Sequence, residues 1–377
     1  MIEKRVIVTS ARHGCESTPI SVEMPGLKHG AAVGLIGPNG TCIHAQVDGD
    51  RIVWICEPMS EGESRKYRFA EKCETRAESA VELIDRKNSV EFRISGALFT
   101  VYEYGEQYAR PFLHPIVGPG GNGVTRGYPM IRDVPGETSD HAHHRSLWIA
   151  HGDVNGCDNW SEMEGHGVQR HREFLEKVGG PVFARLRTVN DWLDARGCKV
   201  LEEQRSFTVY NLPGASRVID MTVEFRATEG DTVFGDTKEG GICSIRVATS
   251  MDGNKGGLIT NSFGAVTEAE TWGRRAHWCD YSGPVSGRTV GIAVFDHPAN
   301  FRHPTYWHVR DYGLMTANPF ALSEYRGDRA WDGSHMIRAG GCLAFSYRIH
   351  VHDGDVAAGK VSDSYHSYIN PPSVEVE

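Results

Sequence analysis

The chain has 377 residues, 40% of them hydrophobic and 24% charged, with a formal net charge of −9; this suits one large domain plus a smaller one with ample core material. Lys and Arg are scattered in ones and twos, so the concentrated basic surface that nucleic acid requires is missing. No run approaches the roughly 18 apolar residues that span a bilayer. The start, Met1-Ile2-Glu3-Lys4-Arg5-Val6-Ile7-Val8, has no apolar export stretch, so a cytoplasmic protein is expected. The nine cysteines are widely spaced with no CxxC pair, and are expected as reduced, buried small hydrophobes.

In chain order, strands are expected at 5–9, 31–36, 42–47, 51–56, 89–95, 98–104, 201–210, 242–248 and 289–295, punctuated by Gly, Asp, Asn and Pro. The clearest two-residue periods are Ile219, Met221, Val223, Phe225 and, near the end, Leu343, Phe345, Tyr347, Ile349, Val351. Helical pattern is confined to 71–84 and 356–368, while 170–178 fits helix or strand. Many short strands and few helices predict an all-β fold, a sandwich or barrel. We expect a small β domain over 1–75 and a large antiparallel β-sandwich over 76–377. The run Gly118-Pro119-Gly120-Gly121-Asn122-Gly123 matches a dinucleotide fingerprint, but the following Val124-Thr125-Arg126-Gly127-Tyr128-Pro129 cannot start the helix that would hold pyrophosphate, so a glycine loop is expected.

The segment richest in chemistry runs from Asp140 to Trp160 and contains His141, His143, His144, Arg145, Trp148, His151 and Asp153. If extended, it places His141, His143 and Arg145 on one face and His144 on the other. Two imidazoles two residues apart can polarise a substrate oxygen, move protons near neutral pH, or share a divalent metal. The metal reading lacks a nearby Glu, so Asp153 would have to serve. Asp236, Lys238 and Glu239 cluster before a strand, where they can set one another's pKa values as acid and base, or be a solvated turn. Trp278-Cys279-Asp280 and Asp296-His297-Pro298 through Tyr306-Trp307-His308-Val309-Arg310 combine aromatics with polar groups as sugar sites do; Asp280 and His297 are the preferred candidates there.

The runs Asp140-His141-x-His143-His144-Arg145, His151-Gly152-Asp153-Val154-Asn155, Asp236-Thr237-Lys238-Glu239-Gly240 and Phe295-Asp296-His297-Pro298 resemble the bacterial family labelled "methane oxygenase PmoA". Ala45-Gln46-Val47-Asp48 and Gly62-Glu63-Ser64-Arg65-Lys66-Tyr67 are similar to its N-terminal β region. Ser146 departs from the glycine expected after His-His-Arg. The resemblance implies a galactose mutarotase-like supersandwich and a setting beside sugar dehydrogenases and isomerases, although the label itself names a membrane-embedded enzyme and this chain has no spanning segment.

Together these readings predict an enzyme acting on a sugar or glycoside by hydrolysis or β-elimination, with a keto-sugar as one substrate class. His141 or His143 polarises an oxygen or protonates the leaving group, and Glu239 or Asp236 is the base. Lys238 and Arg145 stabilise negative charge, while Trp148 or Trp160 stacks on the ring. His144, His151, Asp153, Asp280 and His297 complete the expected binding residues. No cofactor is required in this scheme, a metal on His141 and His143 being the variant of it, and a homo-oligomer is compatible. The alternatives are a non-catalytic carbohydrate-binding protein and a metal-dependent oxygenase on a cupin-like fold.

Overall fold

The two clearest alternating segments are partners. Arg217–Arg226 and Cys342–Asp353 pair antiparallel from Arg217 opposite Val351 to Arg226 opposite Cys342. Their apolar positions, Ile219, Met221, Val223 and Phe225 with Phe345, Tyr347, Ile349 and Val351, fall on one face and are buried. A side chain of this size contributes about 1.5–3 kcal/mol when fully buried, which pins the register, because a slip of one residue would turn the whole set to the other face.

The computed structural model describes residues 5–11, 13–70 and 81–376. The pair above lies in an eight-stranded sheet ordered Val168–Val178, Phe183–Leu193, Lys199–Tyr210, Arg217–Arg226, Cys342–Asp353, Arg288–Asp296, Trp278–Val285 and Leu258–Asn261. A nine-stranded sheet faces it, ordered Arg274–Arg275, Tyr306–Arg310, Leu314–Ala317, Gly240–Arg246, Leu147–His151, Phe112–Leu113, Ala97–Glu103, Ser89–Ile94 and Val81–Asp85. Their inner faces share one core, including Phe92, Leu147, Ile149, Ile245 and Trp307 from one sheet and Phe207, Met221, Ile292 and Tyr347 from the other. The fold is therefore all-β, a large antiparallel sandwich.

A third sheet of seven strands has its own core around Val6, Val8, Leu35, Val47, Trp54 and Tyr67. It abuts the sandwich where Gln46 Oε1 accepts the backbone N–H groups of Val182 and Phe183, both at 3.1 Å. This small unit is not a continuous stretch of chain. The last strand, Ser373–Val376, returns from the sandwich and pairs antiparallel with Arg5–Thr9. A division at residue 75 misses it, since a polar-alternating tail does not reveal which sheet edge it will meet.

Local expectations fare unevenly. Segment 170–178 is strand throughout, and the C-terminal helix begins at Val361 rather than 356. The helix expected over 71–84 falls mostly outside the described residues, and Val81–Asp85 is an edge strand. The glycine loop forms a single short turn at Pro119–Gly121 and then extends. Cysteines 15, 56, 243 and 279 are buried thiols as expected, but Cys198 and Cys342 are exposed and Cys42 is disulfide-bonded, so the all-thiol reading is corrected. Spacing along the chain does not report proximity in space. Among the described residues, no helix is long and apolar enough to cross a membrane.

Candidate functional site

The nine-stranded sheet has a second side, away from the core, and it carries polar chemistry. On Gly240–Arg246, Ile245 points into the core, while Ser244 and Arg246 point outward. Ser244 Oγ bonds Thr316 Oγ1 of the neighbouring strand at 2.5 Å. Gly241 sits beneath this pair, and a Cβ there would collide with both hydroxyls. Trp148, Ala150, Phe112 and Leu314 line the same outer side and pack against Trp160, Tyr108 and Tyr312 from the loops above.

The histidine segment crosses this side as a turn. His144 N–H donates to the carbonyl of His141 at 2.9 Å, and His141 and Ser146 both take positive φ, 45° and 56°. The segment is therefore not extended, and the arrangement an extended segment would give, with His144 facing away from His141 and His143, does not arise. The turn stacks the rings instead. His141 lies parallel to Tyr312 on one side (4.9 Å between centroids, 14°) and to His144 on the other (4.8 Å, 10°), and His144 in turn stacks on Trp148 (5.2 Å, 24°). His143 stands edge-on to His144 at 4.4 Å and to Trp160 at 5.9 Å. Ser146, where the resembled family leads one to expect glycine, adopts the left-handed conformation glycine favours, and its hydroxyl donates to Thr125 Oγ1 at 2.8 Å.

Two buried arginines hold the turn from below. Asp140 Oδ1 accepts from Arg126 and, at 2.9 Å, from Arg246, while its Oδ2 lies 3.1 Å from His141 Nδ1. Burial raises the Asp140 pKa, but Arg246 and Arg126 outweigh it and keep the carboxyl below its ordinary value. Arg246 also donates to His144 Nδ1 at 3.1 Å, which fixes that nitrogen as an acceptor and His144 as neutral. Burial first, then the charges of His143 and Arg246, push the His144 pKa well down. A second network ties the turn to the neighbouring loop. Arg110 donates to the carbonyls of His143, Asn159 and Trp160 and to Glu162, and Arg145 donates to Glu162 Oε2 at 2.7 Å.

His143 is different from its neighbours. It is half-buried, and among the described residues neither ring nitrogen makes a hydrogen bond. Burial, then the charges of Arg110 and His141, lower its pKa to about 4, so it is neutral at pH 7, while Glu162 and Glu239 pull in the opposite direction. Glu239 thus belongs to the same neighbourhood, and its charge also raises the pKa of Tyr312, already raised by burial. Its carboxylate is 49% exposed and pairs with Lys238 at 3.0 Å. The loop that presents both is fastened by side chains arriving from the next strands: His308 Nδ1 donates to the Lys238 carbonyl at 2.8 Å, and Asn318 donates to the carbonyls of Thr237 and Lys238.

His141, His143, His144, Trp148, Trp160, Lys238 and Glu239 thus share the outer side of one sheet. Of the others, only Arg145 joins them, over the rings of Tyr108 and Phe112. Asp236 Oδ2 accepts from the backbone N–H groups of Ser323 (2.9 Å) and Gly333 (2.7 Å), which makes it a fastening for a distant loop. Arg145 is committed to Glu162. His151 is fully buried on the core side, between Phe234 and Phe320, with Nε2 donating to the carbonyl of Gly235 at 2.9 Å. Asp153 closes a turn through the N–H of Gly156. Asp280 belongs to the other sheet, bonded to His352 at 2.8 Å, and His297 packs on Tyr368 of the C-terminal helix. Arg110, Arg126, Arg246, Glu162 and Tyr312 were not singled out by the sequence reading, and Asp140 and His308 stood there only as members of longer runs with no role of their own. Arg246 offered one signal, an arginine in an otherwise apolar strand; Arg126 and Tyr312 offered none. As for a metal, no three His, Cys, Asp or Glu side chains among the described residues are grouped to hold one, and His141 Nδ1 already faces Asp140.

Fold and site together define an antiparallel β-sandwich protein with a histidine–arginine cluster on the outer side of one sheet. The chain belongs to DUF6807, described as a family of unknown function, whose pattern matches residues 89–366. No curated protein matches it. Among solved structures it is similar to a glycosyl hydrolase family 38 protein from Enterococcus faecalis, at 10% identity and TM-score 0.44 over 100% of this chain and 47% of that one. An α-mannosidase from Enterococcus faecalis V583 gives 10% identity and TM-score 0.44 over 99% of this chain and 46% of that one. An α-galactosidase from Lactobacillus brevis gives 9% and 0.33 over 74% and 40%. The chain spans less than half the length of each.

Proposed function

We propose that this protein is a carbohydrate-active enzyme whose histidine turn moves protons on an uncharged sugar or glycoside. One arrangement carries the reading: an imidazole oriented by a carboxylate stands beside a second, neutral imidazole with unengaged nitrogens, over aromatic rings. Asp140 holds His141 through Nδ1 and leaves Nε2 at the surface, the geometry of an oriented base. His143 is the partner whose nitrogens are free to hydrogen-bond a substrate oxygen. Glu239, opposite, is the second proton acceptor, and Lys238 is the nearby cation for developing negative charge. Trp148 and Trp160, 0% and 1% exposed, pack beneath the histidine rings as their floor and do not meet the sugar, which corrects the expectation that one of them stacks on it. Arg145 and Asp236 act here as fastenings of the loops.

This set suits hydrolysis of a glycosidic bond or elimination from a keto-sugar. In the second case the carbonyl acidifies the neighbouring C–H: the oriented imidazole takes that proton, the C–O bond to the leaving group breaks as the double bond forms, and the imidazolium returns the proton to the departing oxygen, with no redox group needed. The test is turnover of a panel of glycosides and their keto derivatives by the purified protein, read by NMR of the products, beside H143Q and H141Q. Turnover that falls by about 10²-fold or more in both variants, with sugar binding retained, supports the enzyme reading. Binding without turnover in the parent protein would leave a carbohydrate-binding protein instead.

A further inference from the structure

On the outer side of the eight-stranded sheet, the strand Cys342–Asp353 buries three polar side chains in a row, Arg348, His350 and His352. Two have carboxylate partners: Arg348 makes a two-bond pair with Asp220 at 2.6 and 2.8 Å, and His352 Nε2 meets Asp280 at 2.8 Å. His350, between them, has none. It is 3% exposed, its Nδ1 is buried without a partner, and no hydrogen bond is formed by its ring among the described residues. An unpaired buried polar side chain in a native fold calls for a partner that arrives from elsewhere.

His350 lines a cavity of about 220 Å³ enclosed by the small sheet's entry segment, the sandwich and the C-terminal helix. Three further lining groups, the hydroxyls of Ser17, Ser216 and Ser364, make no hydrogen bond among the described residues, and each comes from a different one of those regions. Leu212, Val218 and Phe295 supply apolar wall. Every charged group of the lining is already paired: Arg348 with Asp220, Lys360 with Glu16 at 2.9 Å, and Asp353 with Arg288 at 2.8 Å. No net charge is left over to select an ion. Free hydroxyls and a neutral imidazole beside apolar surface are what an uncharged, hydroxyl-rich ring requires. The volume, below the roughly 300–1,000 Å³ of drug-sized pockets, limits the occupant to a single ring or a small polyol.

We infer that this cavity between the small domain and the sandwich is a second binding site, for an uncharged monosaccharide or polyol. It is separate from the histidine turn, which lies on the other sheet. An occupant bonded to Ser17, His350 and Ser364 at once links the two domains and the C-terminal helix, so its binding stabilises the whole chain by mass action.

The experiment is calorimetric titration of the full-length protein with D-glucose, myo-inositol, glycerol and, separately, inorganic phosphate, repeated on H350F, S364F and H143Q. H350F removes the free imidazole nitrogens, and S364F fills the cavity from a half-exposed helix position, so it carries the test should H350F not fold. The expected result is binding of at least one uncharged probe, weakened about tenfold or more in H350F and S364F and retained in H143Q. The inference is overturned by binding of none of the uncharged probes, by phosphate binding in their place, or by sugar binding that H143Q abolishes while S364F leaves it intact.

Discussion

Replacing Asp140 by Asn isolates the charge that holds the histidine turn. The side chains of Arg126 and Arg246 are fully buried, and both donate to Asp140 Oδ1. Asparagine keeps an acceptor oxygen and loses the charge. The guanidinium groups stay charged, so each bond weakens within the range of about 1.5–3 kcal/mol for hydrogen bonds to charged groups, and a loss of about 1–1.5 kcal/mol from each removes about 2–3 kcal/mol. The carboxylate is 41% exposed, so water replaces part of the lost interaction, and the lower end, about 2 kcal/mol, is expected. Asp140→Ala, which leaves two buried guanidinium groups without this partner, is expected to cost about 3 kcal/mol or more. The assay is urea unfolding followed by tryptophan fluorescence at pH 7.5, with Trp148 and Trp160 as local reporters. Loss of the Asp140 contact also frees His141 to turn, so any turnover found should fall in Asp140→Asn by more than the unfolded fraction explains. An Asp140→Asn protein within about 0.5 kcal/mol of the parent, the usual range for an exposed surface change, would refute the argument that this carboxylate holds the arginines.

His143→Gln should reduce turnover by about 10²-fold or more and leave the unfolding midpoint little changed, since its ring nitrogens bond nothing among the described residues; a chemical-denaturation curve beside the activity assay checks both halves. Acid should destabilise the fold. Burial lowers the pKa of His151 and of His308 from 6.5 to about 4, so as pH falls below 6.5 the unfolded chain takes protons the folded one refuses, and the stability present at neutral pH is lost between those values. At pH 5 each contributes a loss of about 2 kcal/mol, to be seen as a lower urea midpoint at pH 5 than at pH 7.5. His352 acts oppositely: burial lowers its pKa but Asp280 raises it more, so its contribution is complete below the unfolded value and fades as pH rises through the folded one. Gly241→Ala should destabilise by about 2 kcal/mol or more through overpacking, because the new methyl meets the hydroxyls of Thr316 and Ser244; unchanged thermal stability would show that the two strands separate freely.

The histidine turn shows how far a sequence can be read and where the reading stops. Four histidines in eleven residues mark the segment as unusual, and that signal is purely compositional. The direction in which each ring points depends on positive φ at His141 and Ser146, and on Arg126 from a loop and Arg246 from the strand below gathering Asp140. In the second cluster, Asp236 and Glu239 stand three residues apart and look interchangeable. They are separated by the amides of Ser323 and Gly333, which arrive from roughly ninety residues further along and occupy Asp236.

The sequence by itself determined the all-β class and most strand positions, because alternation every two residues is a local property that any strand with one buried face must display. It also marked the segment from Asp140 to Trp160 as the one richest in histidine. Only the tertiary structure decided which sheet each strand joins, that the last strand returns to the first, and which histidine keeps free nitrogens. Those outcomes depend on partners far away along the chain, where pairing and burial are set by packing the whole molecule at once and leave no periodic trace in any one segment.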